Sequence, residues 1–249
     1  VTGTAYVGCM ESLKRAIIVG SSGGVGAAVS EALADRGWQV LALSRRGIDT
    51  GHENISTGVI DIRDEESVVA AARAAGEMQA PELVLVTTGM LSEANGIQPE
   101  KTYRQQSMTA FEKVFQINTF GPALVAKHFL PGMPRRGRAI FAALSARVGS
   151  ISDNRIGGWH AYRASKAALN MLVKNYAIEQ ARRNPDFIAV SLHPGTVDTG
   201  LSRPFQAGVP DKSLFTPQQS AAYLIDVLGN LTADDTGKAF DWAGQEIPA

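Results

Sequence analysis

Tyr162 and Lys166 stand four residues apart in Tyr-Arg-Ala-Ser-Lys, a spacing that puts both side chains on one face of a helix. A phenol holds its proton up to a pKa of about 10 and is a poor acid at neutral pH. A neighbouring ammonium favours the phenolate and is expected to lower that value. The tyrosine could then trade a proton with a carbonyl or alcohol oxygen. An amphipathic helix with an exposed cation and a half-buried ring would give the same spacing, so the pair gains meaning from its surroundings.

The second chemical signal is glycine. A short apolar run, Ala16 to Val19, leads into Gly20-Ser21-Ser22-Gly23-Gly24-Val25-Gly26 and then into an alanine-rich helical stretch. Strand, glycine turn and helix N-terminus together form an anion site. Glycines let backbone approach a pyrophosphate, and the helix end presents unpaired N–H groups with positive partial charge. Gly20, Ser22, Gly24, Val25 and Gly26 are the candidate contacts. The same residues also read as GxSxG, the nucleophile elbow of a hydrolase, with His193 as candidate base. Against that reading, the elbow lies on the first strand, and His193 has no obvious acid partner and is pressed against Pro194. The second strand ends in Leu43-Ser44-Arg45-Arg46, with two guanidiniums where an acid would bind an adenosine ribose. Arg forks match phosphate oxygens, so Arg45 favours a 2′-phosphate, hence NADPH over NADH. Asp61 and Ile62, at the end of the third expected strand, would flank an adenine, the carboxylate accepting from its amino group.

Composition narrows the field. The chain has 249 residues, with 24 Lys and Arg against 24 Asp and Glu and 19% charged residues. That balance carries no electrostatic footprint for nucleic acid or anionic membrane. Cys9 is the lone cysteine, which excludes an internal disulfide framework and CxxC sites. His52, His128, His160 and His193 lack HExxH spacing, so no metal site is expected. No apolar stretch reaches the roughly 18 residues of a membrane helix, and the cytoplasm is the expected compartment. Residues 1–12 are expected to be a disordered extension without chemistry.

These candidates need elements to hold them. Apolar runs at Val40 to Leu43, Val59 to Ile62, Leu83 to Val86, Ala139 to Leu144, Phe187 to Leu192 and Ala239 to Trp242 read as further strands. Helical stretches alternate with them at Val25 to Arg36, Glu65 to Met78, Phe111 to Phe129, Ala161 to Arg182 and Pro217 to Leu228. The alternation implies right-handed βαβ units: one α/β domain over residues 13–249, a Rossmann-type doubly wound parallel sheet of about seven strands covered by helices on both faces.

The motifs in this order resemble the short-chain dehydrogenase/reductase family over about residues 14 to 243. They are the GxxxGxG loop, Asn118 in Asn-Thr-Phe-Gly-Pro, the serine segment at 145, Tyr162-xxx-Lys166, and Pro194-Gly195-Thr196-Val197-Asp198-Thr199. Gly149 to Asn154, Tyr162 to Asn170 and His193-Pro194-Gly195 resemble the branch of C-factor-like proteins and small carbonyl reductases. The resemblance implies that Tyr162 is the general acid/base and that Lys166 lowers its pKa and holds the nicotinamide ribose. It further implies that Asn118 supports a water-linked proton relay, and that Val197 and Thr199, after the Pro194-Gly195 turn, meet the nicotinamide carboxamide. The cofactor would be NADP(H), the substrate a small carbonyl or alcohol compound, and the assembly a homodimer or homotetramer.

Two departures stand out. The family's Asn-Ala-Gly is Thr87-Thr88-Gly89 here. Gly89 keeps the close backbone approach and Thr87 is expected to supply one replacement hydrogen bond. The family's Ser-Ser-x-x-Gly is Ser145-Ala146-Arg147-Val148-Gly149, with Ala146 in the slot of the serine that polarises the substrate oxygen. Ser145, one residue early, is the candidate for that role, although a one-residue shift along a strand turns a side chain to the opposite face. Arg147 is expected on the surface. The segment Gly200 to Thr216, with Leu201, Phe205, Val209, Leu214 and Phe215, would form an apolar lid, and Trp159 would line the same cleft. Three functions stay open: an NADPH-dependent carbonyl reductase, a nucleotide-binding regulatory protein with little turnover, and a GxSxG hydrolase.

Overall fold

The computed structural model describes residues 14–47, 50–93, 96–207, 210 and 213–249. The expected N-terminal extension, Cys9 and Val209 lie outside the described residues. Strands β1 (Arg15–Val19), β2 (Gln39–Ser44), β3 (Ile55–Val59), β4 (Leu83–Val86), β5 (Ala139–Leu144), β6 (Phe187–His193), β9 (Ala239–Asp241) and β10 (Glu246–Ile247) form one sheet in the order β10-β9-β6-β5-β4-β1-β2-β3. All pair in parallel except β10, which runs antiparallel to β9. The sheet therefore has eight strands rather than about seven. The extra one is a two-residue edge strand too short to leave a pattern. A separate pair, β7 (Thr196–Val197) and β8 (Leu214–Phe215), lies beyond the tip of β6.

The buried strands are apolar on both faces because helices cover both. Ala16, Ile18, Val40, Ala42, Leu83 and Leu85 pack with helices α1 (Gly24–Ala34) and α6 (Pro217–Asn230). Ile17, Val19, Val84, Phe141 and Phe187 face the other way. There they meet α2 (Glu65–Gly76), α4 (Gly121–Phe129) and α5 (His160–Ala181). Strand order reverses between β1 and β4, and at such a switch point loops diverge and open a crevice beyond the strand tips.

Two expected elements shift. The third strand is Ile55–Val59, not Val59 to Ile62, and Ser44 pairs with Val59. It is an edge strand whose Ser56 and Thr57 hide it from an apolar-run reading, while Val59 is 61% exposed. Ile60 and Ile62 are buried in the following loop by the α2 and α4 side of the core. The long helix expected over Phe111 to Phe129 starts earlier, at α3 (Met108–Phe115), where the Ser107 hydroxyl accepts from the Ala110 N–H. Between α3 and α4 it passes through a π turn, Gln116–Phe120. Such turns insert one residue and often mark functional sites. Asn118 sits at its centre.

Candidate active site

A cleft of about 880 Å³ opens at the switch point. One end is the glycine loop. Gly20, at φ 97°, turns the chain out of β1, and its N–H donates to Leu43 O at 2.8 Å. A methyl at Gly26 would lie 2.4 Å from Gly20 O and 2.5 Å from Thr87 Oγ1. Only a bare backbone lets α1 start this close to the sheet. No side chain caps the N-terminus of α1. Thr87 braces the loop as expected, its hydroxyl donating to Val19 O at 2.9 Å. Ser22, Gly24 and Val25 complete this wall, and Thr199 closes on it from across the cleft, 2.8 Å from where a Gly24 Cβ would stand.

Arg45, Asp61, Ile62 and Arg63 line the next stretch. Arg63 escaped the sequence reading. It grips the Asp61 carboxylate in a two-pronged fork, Nε to Oδ1 at 2.9 Å and Nη2 to Oδ2 at 2.6 Å. That hydrogen bonding holds Asp61 down at about 2, against the opposing pull of burial, with the Arg45 charge a lesser contribution. Asp61 was expected to offer its carboxylate to an adenine amino group; here both oxygens already serve Arg63. The Asp-x-Arg spacing was visible, but only the loop's conformation brings the two side chains together.

At the other end α5 delivers Tyr162 and Lys166, both buried, to the same cleft as Gly89, Pro194, Gly195 and Val197. The Lys166 ammonium donates to Leu144 O at 2.8 Å and stands 5.8 Å from the Tyr162 ring centre. Gly149 makes this approach possible, since a methyl there would lie 2.8 Å from Lys166 Cβ. Burial pushes Lys166 down to about 7 and Tyr162 up to about 12. The direction for the tyrosine is thus upward, where a lowering by the lysine was expected. Desolvation of a phenol that is only 9% exposed sets this direction.

Asn118 does not line the cleft. Its amide clasps the segment after β4, with Nδ2 donating to Met90 O at 2.8 Å and Oδ1 accepting from the Met90 N–H at 2.8 Å. Nδ2 also reaches Ser165 Oγ at 3.1 Å. Asn118 thus ties the π turn to α5, one residue before Lys166. Ser145 lines the cleft, but its hydroxyl is enclosed and has no protein hydrogen-bond partner. Ala146 packs against the cluster that contains Tyr162, together with Trp159 and Phe205. Arg147 is exposed, as expected, and also borders the cleft, tied to Asp241 at 2.8 Å. His193 is driven down to about 4, chiefly by burial and then by Arg147, with Asp241 opposing. It is a neutral imidazole. Gly195, at φ 80°, passes so near Phe215 that a methyl would lie 2.6 Å from its ring. The Pro194 carbonyl is held by the Ser220 hydroxyl at 2.9 Å.

Among the described residues there is no group of three His, Cys, Asp or Glu side chains that could hold a metal, and no helix is long and apolar enough to cross a membrane.

Residues 14–209 match the family model described as short chain dehydrogenase. The chain belongs to this family. Among its relatives, the C-signal protein of Myxococcus xanthus is 37% identical over 55% of this chain and 76% of its own length. The 1-hydroxy-2-glutathionyl-2-methyl-3-butene dehydrogenase of Rhodococcus sp. (strain AD45) is 31% identical over 91% of this chain and 95% of its own. Among solved structures, an NADPH-bound carbonyl reductase from chicken fatty liver superposes with a TM-score of 0.80 over 95% of this chain and 99% of its own, at 24% identity. An NADP-bound short-chain dehydrogenase/reductase from Burkholderia multivorans gives 0.78 at 25% identity, over 95% of this chain and 100% of its own. Family membership removes the hydrolase reading: the GxSxG run is the glycine turn of an oxidoreductase family.

Proposed function

We propose that the protein is an NADPH-dependent carbonyl reductase in which Tyr162 gives the proton. The observation that carries this reading is that Tyr162 and Lys166 are buried side by side in the same cleft as the glycine loop. The cradle fits a dinucleotide. Gly24 and Gly26 leave room only for close backbone approach, and the uncapped start of α1 suits a pyrophosphate. Arg45 would hold a 2′-phosphate, and Gly89, Pro194, Gly195, Val197 and Thr199 would border the nicotinamide. When bound, the cofactor supplies the hydride.

The chain's own residues manage the proton. With its pKa pushed up to about 12, Tyr162 keeps its proton at neutral pH, the form that carbonyl reduction needs, while being a weaker acid than a free phenol. Lys166 is anchored through Leu144 O and has further N–H groups for the ribose hydroxyls. Asn118 acts by fixing the segment around Gly89 and the π turn against α5. Ala146 has no donor to offer, and the enclosed Ser145 hydroxyl would need a local shift to reach a substrate. Tyr162 is thus the sole O–H donor in this reading.

Assembly as a homodimer or homotetramer is supported by exposed Phe120, Met171 and Ile178 on the π turn and α5, and a cytoplasmic location by the single cysteine. A second reading, a nucleotide-binding regulator with little turnover, draws support from Ala146 and from the C-signal relative. The experiment follows NADPH consumption over a panel of aldehydes and ketones. Tyr162→Phe should lose roughly 10²–10⁴-fold in rate while still binding NADPH. Tight NADPH binding without turnover by the wild type on any carbonyl would favour the regulator.

A further inference from the structure

Trp159 is the one non-glycine residue with a positive φ among the described residues, at 49°. For a bulky side chain this left-handed conformation is strained, and it persists only where the surroundings impose it. Here they do. Gly157 and Gly158 precede it with φ of 69° and 68°, and its N–H donates to Glu100 O at 2.5 Å. Arg163 Nε reaches back to Gly158 O at 3.1 Å. The Glu100 carboxylate accepts from the Ala161 N–H at 3.3 and 3.4 Å, holding the first turn of α5. Glycine or asparagine would adopt this turn with little strain. The turn alone gives no reason for an indole.

The reason lies in where the indole goes. It stands edge-on to the Tyr162 ring, centroids 6.2 Å apart at 78°, and packs against Phe205 at 5.5 Å. With Leu91, Ala146, Val148 and Leu201, these two rings make an apolar wall of the cleft beside Tyr162. Arg147, between Ala146 and Val148, is tied to Asp241 at 2.8 Å and to Asp153 at 3.4 Å. A carbonyl hydrogen-bonded to Tyr162 would place its substituent in the same cleft that the indole lines. Aromatic rings gain from edge-on and offset neighbours beyond the area they bury, so a flat aryl group is favoured over an aliphatic one of equal bulk.

We propose that Trp159 is the specificity-determining residue of this cleft, selecting carbonyl compounds whose carbonyl carbon bears a planar aryl group. The inference rests on the carbonyl reductase reading and deepens it. Its test compares acetophenone with cyclohexyl methyl ketone, matched in size but not in flatness, in the wild type, Trp159→Gly and Trp159→Asn. Comparing each substrate across variants cancels its intrinsic reactivity. Both variants relieve the backbone, so folding is retained, which a melting curve checks. The KM for acetophenone should rise about fivefold to tenfold in both variants. The KM for the cyclohexyl ketone should stay within about twofold, with kcat little changed for either. Equal shifts for the two ketones, as a purely packing role would give, overturn the inference, and so does no shift. If the wild type reduces neither ketone, the reductase reading is decided separately by the wider carbonyl panel. Equilibrium dialysis of acetophenone against the NADPH-saturated protein then decides: weaker binding to both variants upholds the aryl site, and equal or absent binding overturns it.

Discussion

Lys166 holds its ammonium 5.8 Å from the centre of the Tyr162 ring, and the two groups are pushed in opposite directions by the same burial, the lysine to about 7 and the tyrosine to about 12. In the proposed reading the pair keeps a proton on the phenol, and the pH dependence of each direction follows. Carbonyl reduction needs the protonated phenol and should show no loss attributable to Tyr162 up to about pH 10. Alcohol oxidation needs the phenolate and should climb about tenfold per pH unit over the alkaline range. Rates in both directions across pH 6 to about 10 check this. A Tyr162-dependent fall in reduction centred near neutrality would contradict it.

Lys166 also links stability to pH. Its folded pKa of about 7 lies below the unfolded value of about 10.4, so between the two the unfolded chain binds more protons and stability rises with pH. Below pH 7 the full penalty of burying the charge is present. Lys166→Met should therefore raise the melting temperature most at pH 6, by several degrees, and hardly at all near pH 10. A gain that is flat with pH would mean that the lysine is not desolvated in the fold.

Ala146→Ser offers a gain of function. The alanine packs against the Tyr162 cluster, and a hydroxyl there would give the carbonyl oxygen a second donor. Removing one such donor elsewhere costs about 10²–10³-fold, so even imperfect geometry should raise kcat about tenfold with NADPH affinity unchanged. Stopped-flow reduction of one aromatic ketone by both proteins decides it.

Arg45 governs the choice of cofactor in the proposed reading. A hydrogen bond to a charged group contributes about 1.5–3 kcal/mol. Arg45→Ala should therefore weaken NADPH by roughly ten- to a hundredfold and leave NADH within about threefold. Fluorescence titration with both dinucleotides measures the two affinities. Equal losses would point to a role in the fold.

The strand-turn-helix of the glycine loop and the four-residue step from Tyr162 to Lys166 were legible because each depends on local spacing alone. So was the Thr87 brace, which needs one hydroxyl at one strand tip. What escaped was settled over distance. Ile60 and Ile62 read as strand because burial and strand look alike in a short apolar run, yet they are buried by helices after the edge strand has ended. The Asp61–Arg63 fork depends on a loop conformation that no periodicity announces. The upward push of burial on the tyrosine was not legible, because sequence reveals a neighbouring charge but not the depth of enclosure.

The π turn at Gln116–Phe120 makes the segment from Met108 to Phe129 one residue longer than a regular coil of the same span. Its two halves are thereby out of phase by about 100°. Winding the same residues as an uninterrupted α-helix would swing either Val114 or the pair Val125 and Phe129, all now buried, towards water; the π turn takes up the extra residue and keeps both halves facing the core. The irregularity thus falls where the Asn118 amide grips Met90 and Ser165.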